Sequence, residues 1–349
     1  MRSPWLALVL LASVATGLAL LSVAVVGGPS PPVYSRILHV HGVAGIAWYC
    51  QAFAFLLPGR PGTDRRRLAL ASMFVTASIA LARWPLAGAT LLLLAVLGLL
   101  VGVLDIRSAS GPWFLLSAMG QATVPISILF PQLDRVAGLV PTLVPTLIVA
   151  TLVRSVDPQA RIADLAAALT GGTYLFVECR AFFIGMPPPR ALEFAAAACL
   201  CAVVSWSSAR ADRWQRVSRC VAAALLLESA FLLFVQRAPG SSVYLLDTLF
   251  VVGRAHLEAF VLLVAVVGTL GRPAHSRTAW VGLALLSAGS HALGWMFVFE
   301  GQRGMPRSYV HHPEAFLPLE RAALVAALLL ASGLVLVALA ELGGPGAEE

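Results

Sequence analysis

Residues 85–105 read PLAGATLLLLAVLGLLVGVLD, an apolar run from Pro85 that meets no charge before Asp105. A run of this length matches the roughly 20 residues a helix needs to cross the hydrocarbon core of a bilayer. Runs of similar character recur outward in both directions, near 5–27, 36–57, 67–82, 112–131, 137–153, 162–184, 190–209, 218–236, 244–270, 277–299 and 318–341. Pro, Gly and Arg punctuate them. In hydrocarbon every backbone polar group must be satisfied internally, and continuous apolar runs of this length suit helices, not barrel strands. The pattern predicts an all-α, polytopic membrane bundle of about twelve helices in a single transmembrane domain spanning residues 1–349.

Composition points the same way. The 349 residues are 59% hydrophobic and 12% charged, with a mean hydropathy of +0.86. Soluble domains carry about 25% charged residues, so half that amount cannot clothe a water-facing surface. The net charge of +7 comes from 24 arginines without one lysine. These arginines stand singly or in short runs between apolar segments, which argues for loops against lipid headgroups and against nucleic-acid binding. Lysine absence beside abundant Ala, Arg and Gly fits a GC-rich genome and a bacterial inner membrane. Cys50, Cys179, Cys199, Cys201 and Cys220 show no CxxC spacing and read as small hydrophobes. Arg2 and the run from Trp5 look like a retained first helix, since no clean small-residue cleavage site follows.

An even helix count puts both termini on one side. That side collects Arg2, Arg60, Arg65–Arg67, Arg107, Arg154, Arg161, Arg210, Arg213, Arg216, Arg219, Arg272 and Arg277, fourteen against eight on the other. Positive residues concentrate on the cytoplasmic side, so both termini are expected there.

Polar residues inside the apolar runs carry the functional signal. His39 and His41 open the second run, His256 lies in the tenth and His291 in the eleventh. A neutral imidazole offers one lone pair to a metal, and two facing imidazoles can clamp a heme iron. The simpler reading is a histidine that hydrogen-bonds a neighbouring helix, and His291 is assigned that role. His275, His311 and His312 fall in loops and read as surface residues; Gly171-Gly172 reads as a close helix crossing. Glu178, Arg180, Glu228, Asp247, Arg254 and Glu258 also interrupt apolar runs. Each requires a partner or a polar cavity. Arg254 and Glu258 are spaced i, i+4 and can pair on one helix face. Intrahelical neutralisation and a substrate or proton path both remain open.

Three short motifs resemble the catalytic subunit I of heme-copper oxidases, the cytochrome c oxidase family. His41-Gly42 matches the family's second-helix His-Gly pair. Asp247-Thr248-Leu249-Phe250-Val251-Val252-Gly253-Arg254-Ala255-His256 lines up without a gap with the tenth-helix signature Asp-Thr-Tyr-Tyr-Val-Val-Ala-His-Phe-His. Gly304-Met305-Pro306-Arg307-Ser308-Tyr309, followed by Pro313-Glu314-Ala315-Phe316, resembles the loop between helices 11 and 12. The resemblance implies twelve helices with cytoplasmic termini. It also implies one low-spin heme, of type b or a, ligated by His41 and His256, with Arg307 on a propionate. Guanidinium suits that last role, being always charged and able to donate bidentate bonds.

The departures are as informative. The family's high-spin heme ligand is Arg254 here, and arginine is no ordinary iron ligand. The copper histidines expected in helices 6 and 7 are absent, the conduction lysine is missing, and the second propionate arginine is Ser308. A copper–iron centre needs those imidazoles. The resemblance therefore implies no copper and no oxygen reduction by this chain alone. It leaves electron transfer within a membrane, with other respiratory-complex subunits or a cytochrome donor as partners. A non-enzymatic heme sensor or assembly protein, including a nitric-oxide response, remains an alternative. So does a transporter lined by Glu178, Arg180, Glu228, Arg254 and Glu258.

Overall fold

The structure, a computed structural model, describes residues 84–104, 212–236, 248–270, 276–306 and 313–342, with 14–15, 17–22, 25, 41, 73, 76–77, 80 and 129–130. The expected helices at 36–57, 112–131, 137–153, 162–184 and 190–209 lie essentially outside these residues, as do His39, Glu178, Arg180, Asp247, His275, Arg307, His311 and His312. The chain divides into two compact units, each described by itself.

In the first unit the helix α1, Pro85–Leu104, is the stretch quoted above. Proline is tolerated at its first position because that N–H has no intrahelical partner anyway. The second unit holds four long helices in sequence: α2 (Arg213–Gln236), α3 (Leu249–Leu270), α4 (Arg277–Gln302) and α5 (Leu317–Leu342), the last preceded by a 3-10 turn at Glu314–Phe316. The described residues are all-helical apart from one isolated bridge between Thr248 and Pro306. Helix α2 packs on α3, α3 on α4, and α4 on α5.

Helix α2 begins at Arg213, five residues before the apolar run near 218. The Asp212 carboxylate accepts the Gln215 N–H at 2.8 Å, capping an orphan donor and letting the polar Arg213–Arg219 turn join the helix. The neighbouring helix ends meet there. The buried Trp214 donates its indole N–H to the Val267 carbonyl at 3.3 Å and sets its ring edge-on to Trp280 at 5.2 Å. The Arg213 guanidinium lies 5.5 Å from the Trp280 ring centre.

At the opposite end α4 runs past residue 299 to Gln302 and turns at Gly304, whose φ of 87° favours glycine. This turn lets the Met305 carbonyl accept the Leu249 N–H at 2.9 Å, so the start of α3 and the end of α4 are stitched together.

Helices α4 and α5 are long and apolar enough to cross a membrane. Only 44% and 33% of their most apolar windows are buried, whereas the core helix of a soluble protein hides most of its apolar residues. In α5 the buried positions beyond the first-turn Glu320 are mostly small: Ala323, Ala326, Ala327 and Gly333, joined by Leu330 and Val337. The outward positions Val325, Leu328, Val335 and Leu339 are large, apolar and about half exposed. Small residues inside and large apolar ones outside is the distribution that close helix packing in lipid favours. Gly289 and Gly333 sit at the α4–α5 contact, where an added Cβ would collide with the backbone at Leu330 and Leu286 respectively.

Candidate functional site: a polar belt across three helices

Between α2, α3 and α4, inside the helix ends, lies a set of polar side chains in otherwise apolar surroundings. Their sequence origins are Glu228 and Ser229 on α2, Arg254, His256 and Glu258 on α3, and His291 and Trp295 on α4.

Arg254 and Glu258 face each other along α3, with Nη1 3.1 Å from Oε1 and both side chains about 15% exposed. The buried Ser229 hydroxyl donates to the same Glu258 oxygen at 2.8 Å. The ion pair of α3 is thus tied to α2 by a charge-assisted hydrogen bond, the stronger kind. The Arg254 Nε is buried and has no hydrogen-bond partner among the described residues.

Glu228 turns the other way, to α4. Its Oε1 lies 2.8 Å from His291 Nδ1, and its Oε2 accepts the Trp295 indole N–H at 3.0 Å. His291 and Trp295 are one helical turn apart, so their two nitrogens meet the two oxygens of one carboxylate. Because Glu228 and Ser229 are adjacent, one turn of α2 reaches α4 with the first and α3 with the second. In the sequence His291 reads as a helix-packing residue and Glu228 has no evident partner, because 63 residues separate the two, beyond the reach of local periodicity.

His256 is oriented differently. Its Nδ1 donates to the Val252 carbonyl one turn back, at 2.8 Å. A carbonyl oxygen only accepts, so Nδ1 carries the hydrogen and the ring's lone pair is on Nε2. The imidazole is flanked by Phe260 at 5.9 Å and by Phe297 of α4 at 5.1 Å between ring centres. Histidines that bind metals anchor their other nitrogen in this way, which fixes tautomer and ring orientation. The His256 ring is thereby held in one tautomer and one orientation.

His41 belongs to the first unit. Its ring lies against the helical backbone at Gly17, where an added Cβ would come within 2.9 Å of His41 Cε1. Arg307, expected on a propionate, lies outside the described residues. Cys220 is exposed and unpaired. No group of three or more metal-ligating side chains occurs among the described residues.

Near the stitched end of α3 and α4, Glu300 is 1% exposed, and its Oε1 has no hydrogen-bond partner among the described residues.

No protein-family model matches the chain, and no curated protein does. What fold and site define together is a helical protein with membrane-length spans and a polar belt crossing three of its helices.

Proposed function

We propose that this protein is a multi-span protein of the bacterial inner membrane that carries one low-spin, bis-histidine heme and passes electrons within the membrane. His41 and His256 are its axial ligands and Arg307 pairs with a propionate. The bundle has about twelve helices with both termini cytoplasmic, and it works beside other respiratory subunits or a cytochrome donor. It has no copper centre and reduces no oxygen by itself.

The observation that carries this reading is the His256–Val252 hydrogen bond, which leaves the ring's lone pair on Nε2. The oxidase-like run ending at His256 adds to it. Orientation is supported by Arg213, Arg216, Arg219 and Arg277 at one end of the second unit, a basic bias of the kind found on the cytoplasmic side; Trp214 and Trp280 beside them suit either interface.

A heme held by His41 and His256 would supply one-electron transfer. The protein's own part is to fix the imidazoles and exclude water. Phe260 and Phe297 screen the His256 ring, and a low-dielectric surrounding of this kind tunes potential.

The test is the optical spectrum of the purified full-length protein. A reduced-minus-oxidised difference spectrum of a six-coordinate cytochrome is expected, lost in both His41→Ala and His256→Ala. Protein that purifies folded and free of heme, or a spectrum indifferent to both changes, overturns the proposal. A Soret band shifted by carbon monoxide or nitric oxide would mean an open iron site and favour a sensor.

A further inference from the structure

The polar belt contains one more negative charge than its arginine neutralises. Arg254 and Glu258 cancel each other. Glu228 remains, with two nitrogen donors on its carboxylate. The indole of Trp295 is neutral at any accessible pH, so His291 is the group touching Glu228 that can cancel its charge. Glu228 and His291 each lie two turns or more from either end of their helices, away from the polar termini, where an uncompensated charge is expensive. The belt is neutral in two forms only: imidazolium beside carboxylate, or imidazole beside carboxylic acid. Both hold one proton between the same two atoms, Glu228 Oε1 and His291 Nδ1.

We propose that Glu228 and His291 form a single-proton binding site between α2 and α4. Trp295 is its positioning residue, holding the second carboxylate oxygen. A proton is favoured over a metal cation because both Glu228 oxygens already face nitrogens. The ring provides the route in: Nδ1 is on the carboxylate, and Nε2 points from the far edge of an imidazole that is 26% exposed. Uptake would begin with a proton from water at Nε2 of a ring whose Nδ1–H faces Glu228, giving imidazolium beside carboxylate and leaving hydroxide in the water; passing the Nδ1 proton to Oε1 then leaves a neutral imidazole beside a carboxylic acid. The ionisable groups of the three packed helices around the site, among the described residues, are Glu228 itself, Arg254, Glu258 and His256 of α3, and His291. Glu258 is engaged by Arg254 and Ser229, and His256 by Val252. The site does not depend on heme and stands or falls separately from it.

The experiment uses the full chain in lipid nanodiscs with 15N-labelled histidine. Nitrogen chemical shifts report the imidazole state, and infrared difference spectra report the carboxyl state between about pH 5 and pH 9. One histidine signal, identified by its loss in His291→Gln, is expected to be protonated at neutral pH, or else to be neutral with a carboxylic-acid band that disappears in Glu228→Gln. In Glu228→Gln the His291 signal is expected to become a neutral imidazole at the same pH. His291→Gln keeps a donor for Glu228 and should fold; it should show a carboxylic-acid band because the proton moves wholly onto the glutamate. Trp295→Phe should retain the proton, as a positioning residue would. A wild-type spectrum showing neutral His291 beside ionised Glu228 at neutral pH overturns the proposal, and it needs no variant to fold. A His291 signal unchanged by Glu228→Gln overturns it equally.

Discussion

The two sides of α4 meet their neighbours by opposite means. Toward α5 the contact is dry and close, with Gly289 against Leu330 and Gly333 against Leu286 at separations that admit no Cβ. Toward α2 the contact is made by His291 and Trp295 on the carboxylate of Glu228. Between lipid-embedded helices apolar surfaces gain little from one another, because lipid tails are equally apolar. The α5 side therefore relies on van der Waals packing. The α2 side relies on hydrogen bonds that no apolar substitute could make. A contact of the first kind needs only volume; the second kind fixes which atoms meet, and it keeps ionisable chemistry between the helices.

The difference can be broken by substitution, beginning with the dry side. Gly289→Leu should force α4 and α5 apart and destabilise the fold by about 3 kcal/mol or more, the upper range for overpacking. Loss of monodisperse protein on gel filtration and a lower Tm in detergent would record it; an unchanged Tm would mean the helices do not touch there. Leu328→Arg, on the outward face of α5, should disfavour membrane insertion by about 2.5–3.5 kcal/mol. A glycosylation-mapping insertion assay measures this, and free tolerance of the arginine would show that the face does not meet lipid. Ser229→Ala, on the polar side, removes one donor from Glu258 and should lower stability by about 1–2 kcal/mol. Chemical unfolding of the folded variant reads this smallest effect.

The dry and polar contacts also differ in how far sequence reveals them. Arg254 and Glu258 sit four residues apart, and helical geometry alone puts them on one face. The apolar run at 277–299 marks α4 because its composition is local too. Glu228 and His291 come from helices separated by α3 and two connections, so their meeting is decided by packing, which leaves no periodic trace in the chain. Helix α2 starts ahead of its apolar run because polar residues continue the helix beyond its apolar part. Asp212 caps α2 and extends it five residues into an arginine-rich turn. Gly289 was legible as a helical glycine but not as a contact, since nothing in the sequence says that Leu330 lies opposite.

Helix α5, without a charge between Arg321 and Glu341, also bears on how the molecule is made. A segment with Val325, Leu328, Val335 and Leu339 on one face and Ala323, Ala326 and Leu330 on the other can leave the translocation machinery and rest in lipid without first docking on α4. Its small-residue face then serves as a landing strip for α4, so assembly of this pair can lag behind insertion. Helix α2 has no such liberty: Glu228 gains shelter only when His291 and Trp295 are beside it, and that requirement times its final docking to the arrival of α4.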